Sequence, residues 1–382
     1  MNKLNIGYDH YEERTNFYNG APHKDCDWLE YREYYGLDTT EVDVNTCDNF
    51  YIFPVNALWA KFELFEEKTF FGNYLSEKVI KDLQSDKCLL HINWINEIYR
   101  FDRIHINRLY RFIMKNNISP NNILISSDNF QFKKDFNKWN STEEPIGILE
   151  LPMSEKNIEC TTHYRGFKMI NEKDAFSNKL RHSHFLSVGF APHQHRVDLV
   201  KFYEKENYND NKVLWSALWK NKTISDEFHW PVNGKQEDWC MEMNLNEYSQ
   251  NPYLHSYLEI VAETVFDGTA TQLSTGPFKP MVNLQPFIYV TSCGGLKVLQ
   301  SLGYKTFEFF IDESYDNIED NVVRMKKIQS EIKRVCNMNK NELHDSYYKM
   351  KDILIYNRNN FISKGRTRVI DILSEYLENS YG

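Results

Sequence analysis

Short unbroken apolar runs constrain this chain more than any other feature. Cys88-Leu89-Leu90-His91-Ile92-Asn93 and Asn122-Ile123-Leu124-Ile125-Ser126 show no polar alternation. A strand wetted on one face alternates, whereas a strand buried on both faces reads as one apolar block, which is how parallel sheets covered by helices are built. Between the two runs, Ile104 to Lys115 has helical spacing, with Ile104, Leu109, Phe112 and Ile113 expected inward. Upstream, Phe50-Tyr51-Ile52-Phe53 reads as a strand ended by Pro54, and Leu75, Val79, Ile80 and Leu83 mark a helix. Downstream, Ile146 to Leu151 is a further strand ended by Pro152. Strand, helix, strand at this spacing predicts α/β units on a parallel sheet.

The second half repeats the style. His184 to Gly189, Leu258 to Thr264 and Pro286 to Val290 read as strands, and Arg196 to Glu204 as a helix with Leu199, Phe202 and Tyr203 on one stripe. Phe278-Lys279-Pro280-Met281-Val282 opens a helix before Pro286 forces an extended path. Ile318, Val322, Met325, Ile328, Ile332 and Val335 follow helical spacing, and the tail to Tyr381 is helical. The chain has 382 residues, enough for two domains at roughly 150 residues each. The polar stretch from Ser154 to Lys179 is the expected boundary, giving domains 1–170 and 171–382. The expected fold class is α/β, with two facing Rossmann-like domains and a helical C-terminus. Ligands in such sheets sit beyond the carboxyl ends of the strands.

Composition removes several classes. At 41% hydrophobic and 15% aromatic the chain is too apolar to be disordered. No apolar run approaches the roughly 20 residues of a membrane helix, and Met1 to Asp9 lacks the apolar core of a signal peptide. The expectation is a soluble, cytoplasmic protein, in the host cytoplasm if viral. The abundance of Asn, Lys, Ile, Tyr and Phe fits an AT-rich genome, bacterial or viral. A net charge of −9 argues against binding that rests on phosphate contacts over the whole surface, though it leaves room for a local basic groove. Seven scattered cysteines with no C-x-x-C pair read as reduced thiols. The sequons at Asn140 and Asn221 carry no weight without a secretory route.

Three stretches could carry chemistry. Phe185 to Arg196 runs from a strand through a loop to a helix beginning near His195-Arg196, where N–H groups and a guanidinium could meet a diphosphate. The alternative is an Arg on a surface turn. Glu263 ends a buried strand and could hold ribose or sugar hydroxyls; Ser274, Thr275, Gly276 and Lys279 follow before a helix and could meet phosphate. The alternative there is a capping Glu263 and a solvated Lys279. Thr291-Ser292-Cys293-Gly294-Gly295 is a small-residue loop opening a helix, equally readable as a plain tight turn. Asp25-Cys26-Asp27 matches the D-x-D metal pattern of some sugar transferases but sits in a poorly patterned region. His182, His184, His193 and His195 match no zinc spacing, so no metal site is expected. The chain contains no G-x-S-x-G, Walker loop or G-x-G-x-x-G.

The run Val261-Ala262-Glu263-Thr264-Val265-Phe266-Asp267, then Ser274 to Pro280, Gln285-Pro286-Phe287-Ile288, Leu299 to Phe307 and Asp312-Glu313-Ser314-Tyr315-Asp316, resembles a viral and bacterial family of GT-B glycosyltransferase-like proteins. That family reads E-T-x-F, T-E-K-x-F-K-P, P-F-I, L-G-F-K-T-F and D-E-S-Y-D, and its T-E-K element is similar to the donor-binding signature of α1,3-fucosyltransferases. Phe185-Leu186 and His195-Arg196 resemble its F-L…R-x-H-R segment. The likeness covers roughly residues 180 to 335. It departs where Ser274-Thr275-Gly276-Pro277 replaces T-E-K and where His193 replaces the first Arg.

The resemblance implies a GT-B fold with an acceptor domain over 1–170 and a nucleotide-sugar donor domain over 171–382. It implies transfer of a sugar to an acceptor hydroxyl on a glycan, a protein or a modified DNA base. The nucleotide sugar would be a co-substrate, with no further cofactor and no metal. Arg196, Lys279, Ser274, Thr275 and Gly276 are the expected diphosphate partners and Glu263 the sugar or ribose partner. For an inverting reaction the base is expected beyond a strand of the first domain, as Glu97 or Asp128. The rival reading is a catalytically degenerate relic serving as a binding or assembly module, which the altered T-E-K segment favours. A second enzymatic rival is an epimerase.

Overall fold

The structure is a computed structural model and describes residues 4–8, 39–56, 75–94, 103–139, 146–152, 169–189, 192–209, 211–217, 252–267, 271–365 and 367–381. The chain divides into two units: Met1–Met153 with Thr367–Gly382, and Ser154–Arg366. Glu97, the Asp25-Cys26-Asp27 triplet and both sequons lie outside the described residues.

The first unit holds a parallel sheet of order β2-β1-β3-β4-β5-β6. Its strands are β1 (Leu4–Tyr8), β2 (Thr39–Asp43), β3 (Tyr51–Asn56), β4 (Cys88–Trp94), β5 (Ile123–Ser127) and β6 (Gly147–Glu150). β4 and β5 are buried along their whole length, as their unbroken apolar runs require. One face of the sheet is covered by α1 (Glu77–Gln84), α2 (Arg103–Lys115) and α3 (Phe132–Trp139). Their Val79, Leu83, Ile106, Leu109, Ile113 and Phe136 pack on Leu90, Ile92 and Ile125. Ser76 starts α1 by accepting the Val79 N–H at 3.3 Å.

Two local expectations need correction. Pro54 does not end its strand: it lies inside β3, opposite His91 of β4. The Tyr51 N–H donates toward β4, to the Lys87 carbonyl at 3.2 Å. By alternation residue 54 faces β1, where pairing is confined to Ile6 and Ile52, so the missing N–H interrupts no ladder bond. Ile104 is not inward but 58% exposed, because α2 turns its Ile106–Leu109–Tyr110–Ile113 stripe to the sheet.

The other face of this sheet is closed by the chain's last helix, Arg368–Tyr381. Its Val369, Leu373 and Leu377 bury Ile6, Ile52, Leu89 and Leu124. The expected division kept this tail with the second domain. The apolar stripe of the helix instead completes the first unit's sheet, whose β4 and β5 need cover on both sides.

The second unit is a parallel sheet of order β10-β9-β7-β8. It comprises β7 (Ser183–Gly189), β8 (Val213–Ala217), β9 (Ser256–Ala262) and β10 (Phe287–Val290). The helices used below are α4 (Gln194–Lys205), α5 (Phe278–Val282), α6 (Gly295–Ser301), α7 (Asn321–Asn337), α8 (Lys340–Lys349) and α9 (Lys351–Asn360); the tail helix is α10. In α7 the stripe Met325, Ile328, Ile332, Val335 is buried as expected, but Val322 is 63% exposed. The helix begins only at Asn321 behind an Asp320 cap, and its first turn sends Arg324 inward instead. The fold class is α/β, two Rossmann-like units with a helical C-terminus. Among the described residues no helix is long and apolar enough to cross a membrane.

Candidate functional site

In the second unit the residues singled out from sequence gather at the carboxyl end of β9. Glu263 follows the last residue of that strand and is 2% exposed. Its Oε1 accepts the Tyr289 hydroxyl at 2.6 Å and the Ser274 N–H at 3.2 Å. Ser274 Oγ accepts the Gly276 N–H at 2.9 Å, and the Thr275 carbonyl accepts the Lys279 N–H at 3.3 Å. The carboxylate therefore ties the 274–279 segment to the strand end. A glycine is needed at 276: a Cβ there would lie 2.9 Å from Val261 Cγ1 and 3.1 Å from Ser274 Oγ.

Arg196 joins the same cluster from the first turn of α4. Its Nε and Nη2 donate to the Ala262 carbonyl at 3.1 and 2.8 Å. His195 Nε2 meets the Glu263 carbonyl at 2.7 Å. Burial pushes the His195 imidazole down to about 4, so at neutral pH it is uncharged and donates that bond through Nε2–H. Of the expected donor residues, Arg196, Glu263, Ser274, Thr275 and Gly276 stand together at one strand end.

Lys279 differs. Its backbone belongs to this segment, but its ammonium interacts with Glu259, in the middle of β9. Glu259 is 7% exposed, its Oε2 has no hydrogen-bond partner, and it shares a hydrogen bond with Tyr253. Burial pushes its carboxyl up to about 8, against the pull of Lys279. Lys279 is thus a counter-charge for a buried acid as well as a candidate phosphate partner.

The third stretch is closed to an anion from outside. Gly294, at φ +87°, makes the turn into α6. The first N–H groups of α6 are taken by Asp316: Leu296 N–H donates to Oδ1 at 3.0 Å and Lys297 N–H to Oδ2 at 3.3 Å. The plain tight turn is what the structure holds there.

Sequence reasoning missed Arg324. It is wholly buried and donates to the carbonyls of Thr291, Ile318 and Glu319, to Asn321 Oδ1 and to the Phe266 carbonyl. Its guanidinium lies 4.3 Å from the Phe266 ring centre. Phe266 stacks on His195 at 5.1 Å, and His195 on His193 at 5.9 Å. One column therefore braces the loops after β9 and β10. An arginine within an otherwise apolar helical stripe was the available signal. Tyr289 and Glu259, polar-headed residues inside apolar strand runs, gave the same kind of signal.

In the first unit Asp128 follows the end of β5 and is 2% exposed. Its turn is tied down: Asn129 N–H donates to Ser127 Oγ at 3.2 Å and Gln131 N–H to Asn129 Oδ1 at 3.1 Å. Beside it runs a buried polar line. His91 Nε2 meets Ser126 Oγ at 2.9 Å, and Ser126 donates to Asn93 Oδ1 at 3.1 Å. Burial pushes His91 down to about 3, so the imidazole is neutral. Among the described residues no three His, Cys, Asp or Glu side chains form a metal-binding group.

No family model matches the chain, and no curated protein matches it. Among solved structures it is similar to T4 phage BGT in complex with UDP and Mn2+, at 12% identity and a TM-score of 0.39 over 100% of both chains. It is similar to the DNA modifying enzyme beta-glucosyltransferase, studied with and without uridine diphosphoglucose, at 10% identity and a TM-score of 0.40 over 100% of both chains. It is also similar to an alpha1,3-fucosyltransferase with GDP-fucose, at 10% identity and a TM-score of 0.33, over 99% of this chain and 91% of that one.

Proposed function

We propose that the protein is a glycosyltransferase that takes a sugar from a nucleoside diphosphate sugar and places it on an acceptor hydroxyl, without a metal. The observation that carries this reading is the gathering of Arg196, Glu263 and the 274–276 segment at the carboxyl end of a central parallel strand, where Rossmann-like sheets bind nucleotides. The acceptor oxygen attacks the anomeric carbon, the bond to the diphosphate oxygen breaks, and the acceptor proton passes to a carboxylate. The leaving diphosphate gains negative charge and needs fixed partners. Ser274 and Gly276 N–H groups are already engaged, so that role falls to the positive charges of Arg196 and Lys279, the former held in place by its bonds to the Ala262 carbonyl, and to the hydroxyls of Ser274 and Thr275. Glu263 orients the sugar or ribose. Asp128 or Glu97 takes the proton. The acceptor is a glycan, a protein or a modified nucleobase.

A binding module without catalysis is favoured by one observation: Glu263 and Arg196 already spend hydrogen bonds on the protein's own groups. Release of nucleoside diphosphate from a panel of nucleotide sugars separates the two. Glu263→Gln keeps a carbonyl oxygen for Tyr289 and Ser274 but removes the charge. For the enzyme it cuts turnover about tenfold to a hundredfold, the worth of a charged hydrogen bond, with the thermal midpoint nearly unchanged. Absence of release from every donor, by well-folded protein, supports the module.

A further inference from the structure

We propose that the outer face of α2 and α3 is a docking surface for the phosphodiester backbone of a nucleic acid. The chain carries a net charge of −9, yet this face has the opposite sign. α2 bears Arg103, Arg108, Arg111 and Lys115 and no acidic residue. α3 bears Lys133, Lys134 and Lys138 against Asp135. Among the described residues, Glu150 of β6 also approaches this face: its carboxylate accepts the Lys133 N–H at 2.9 Å and is half-buried. The two helices lie side by side on one face of the sheet, packed into one core. α1 beside them is balanced, with Lys78 and Lys81 against Glu77 and Asp82.

The layout fits a regular polyanion. Arg103, Asn107, Arg111 and Lys115 are all exposed and fall at four-residue intervals, one stripe along the helix. At 1.5 Å per residue the stripe runs about 18 Å, roughly five phosphates of one strand along a duplex axis. Arginine outnumbers lysine on α2, and its planar fork matches phosphate oxygens. A lipid surface fits less well. Membrane helices of this kind insert an apolar face, and the apolar face of α2 is spent on the core, leaving only Ile104 and Met114 exposed at opposite ends.

Fluorescence anisotropy of a short labelled duplex DNA, titrated with the full chain at several salt concentrations, tests this. The assay contains no nucleotide sugar, so its outcome is independent of the sugar-transfer reading. The wild type binds, and the logarithm of its affinity falls linearly with that of salt. Arg103→Glu/Arg111→Glu/Lys134→Glu weakens binding by at least about tenfold and flattens the salt slope by about 3. The matched reversal Lys326→Glu/Lys349→Glu/Lys364→Glu, at exposed positions of the second unit, binds like the wild type. Thermal midpoints confirm that both variants are folded. The proposal is overturned by no binding at low salt, by equal loss in the two triple variants, or by tighter binding to phosphatidylserine vesicles or polyglutamate than to the duplex.

Discussion

Glu259 sits in the middle of a buried strand, with Lys279 as its counter-charge and one oxygen without a partner. Its carboxyl is raised from 4.5 to about 8, mainly by burial. Between those values the folded chain holds a proton that the unfolded chain has released, so stability falls as pH rises through that window. Glu259→Gln cannot ionise. Its urea midpoint, measured from about 4.5 to about 8, should fall less than that of the wild type; parallel curves would contradict this account. The same residues show what the sequence could reveal. Glu263, Ser274 and Arg196 were legible because motifs and strand ends point at them. Glu259, Tyr289 and Arg324 were not, because polar groups inside apolar periods look like noise until their partners, distant in sequence, are seen.

At the level of elements, the unbroken runs of β4 and β5 predicted buried parallel strands, and both are buried throughout. Helical period located α1, α2 and α7, but not which residues of the first turn face inward. Ile104 was misjudged because it lies off the Ile106–Leu109–Tyr110–Ile113 stripe, and Val322 because the first turn of α7, behind its Asp320 cap, sends Arg324 inward instead. The tail helix was legible as a helix, while its sheet was not: an apolar stripe says that a helix packs, not where. Leu373 of that helix is fully buried against the first unit's sheet. Leu373→Ala should cost about 3 kcal/mol, the usual price of a buried leucine cavity, read by urea unfolding. A loss under about 1 kcal/mol would contradict the packing described, since that is the range of conservative surface change.

For the whole molecule, the two units divide the work differently from the way charge and composition first imply. The second unit concentrates polar groups at one strand end. The first carries a buried polar line near Asp128 and a basic face in an acidic protein. The proposed function requires that the carboxyl end of β9 in the second unit receives a nucleoside diphosphate. The most direct test is the thermal midpoint of the full chain in a panel of nucleoside diphosphates. A ligand that binds only the folded state at about a hundred times its dissociation constant adds about 2.7 kcal/mol. The account predicts a clear rise with one diphosphate, a smaller rise with the matching monophosphate, and loss of the difference in Thr275→Val. No rise with any diphosphate, in protein that unfolds cooperatively, would contradict it.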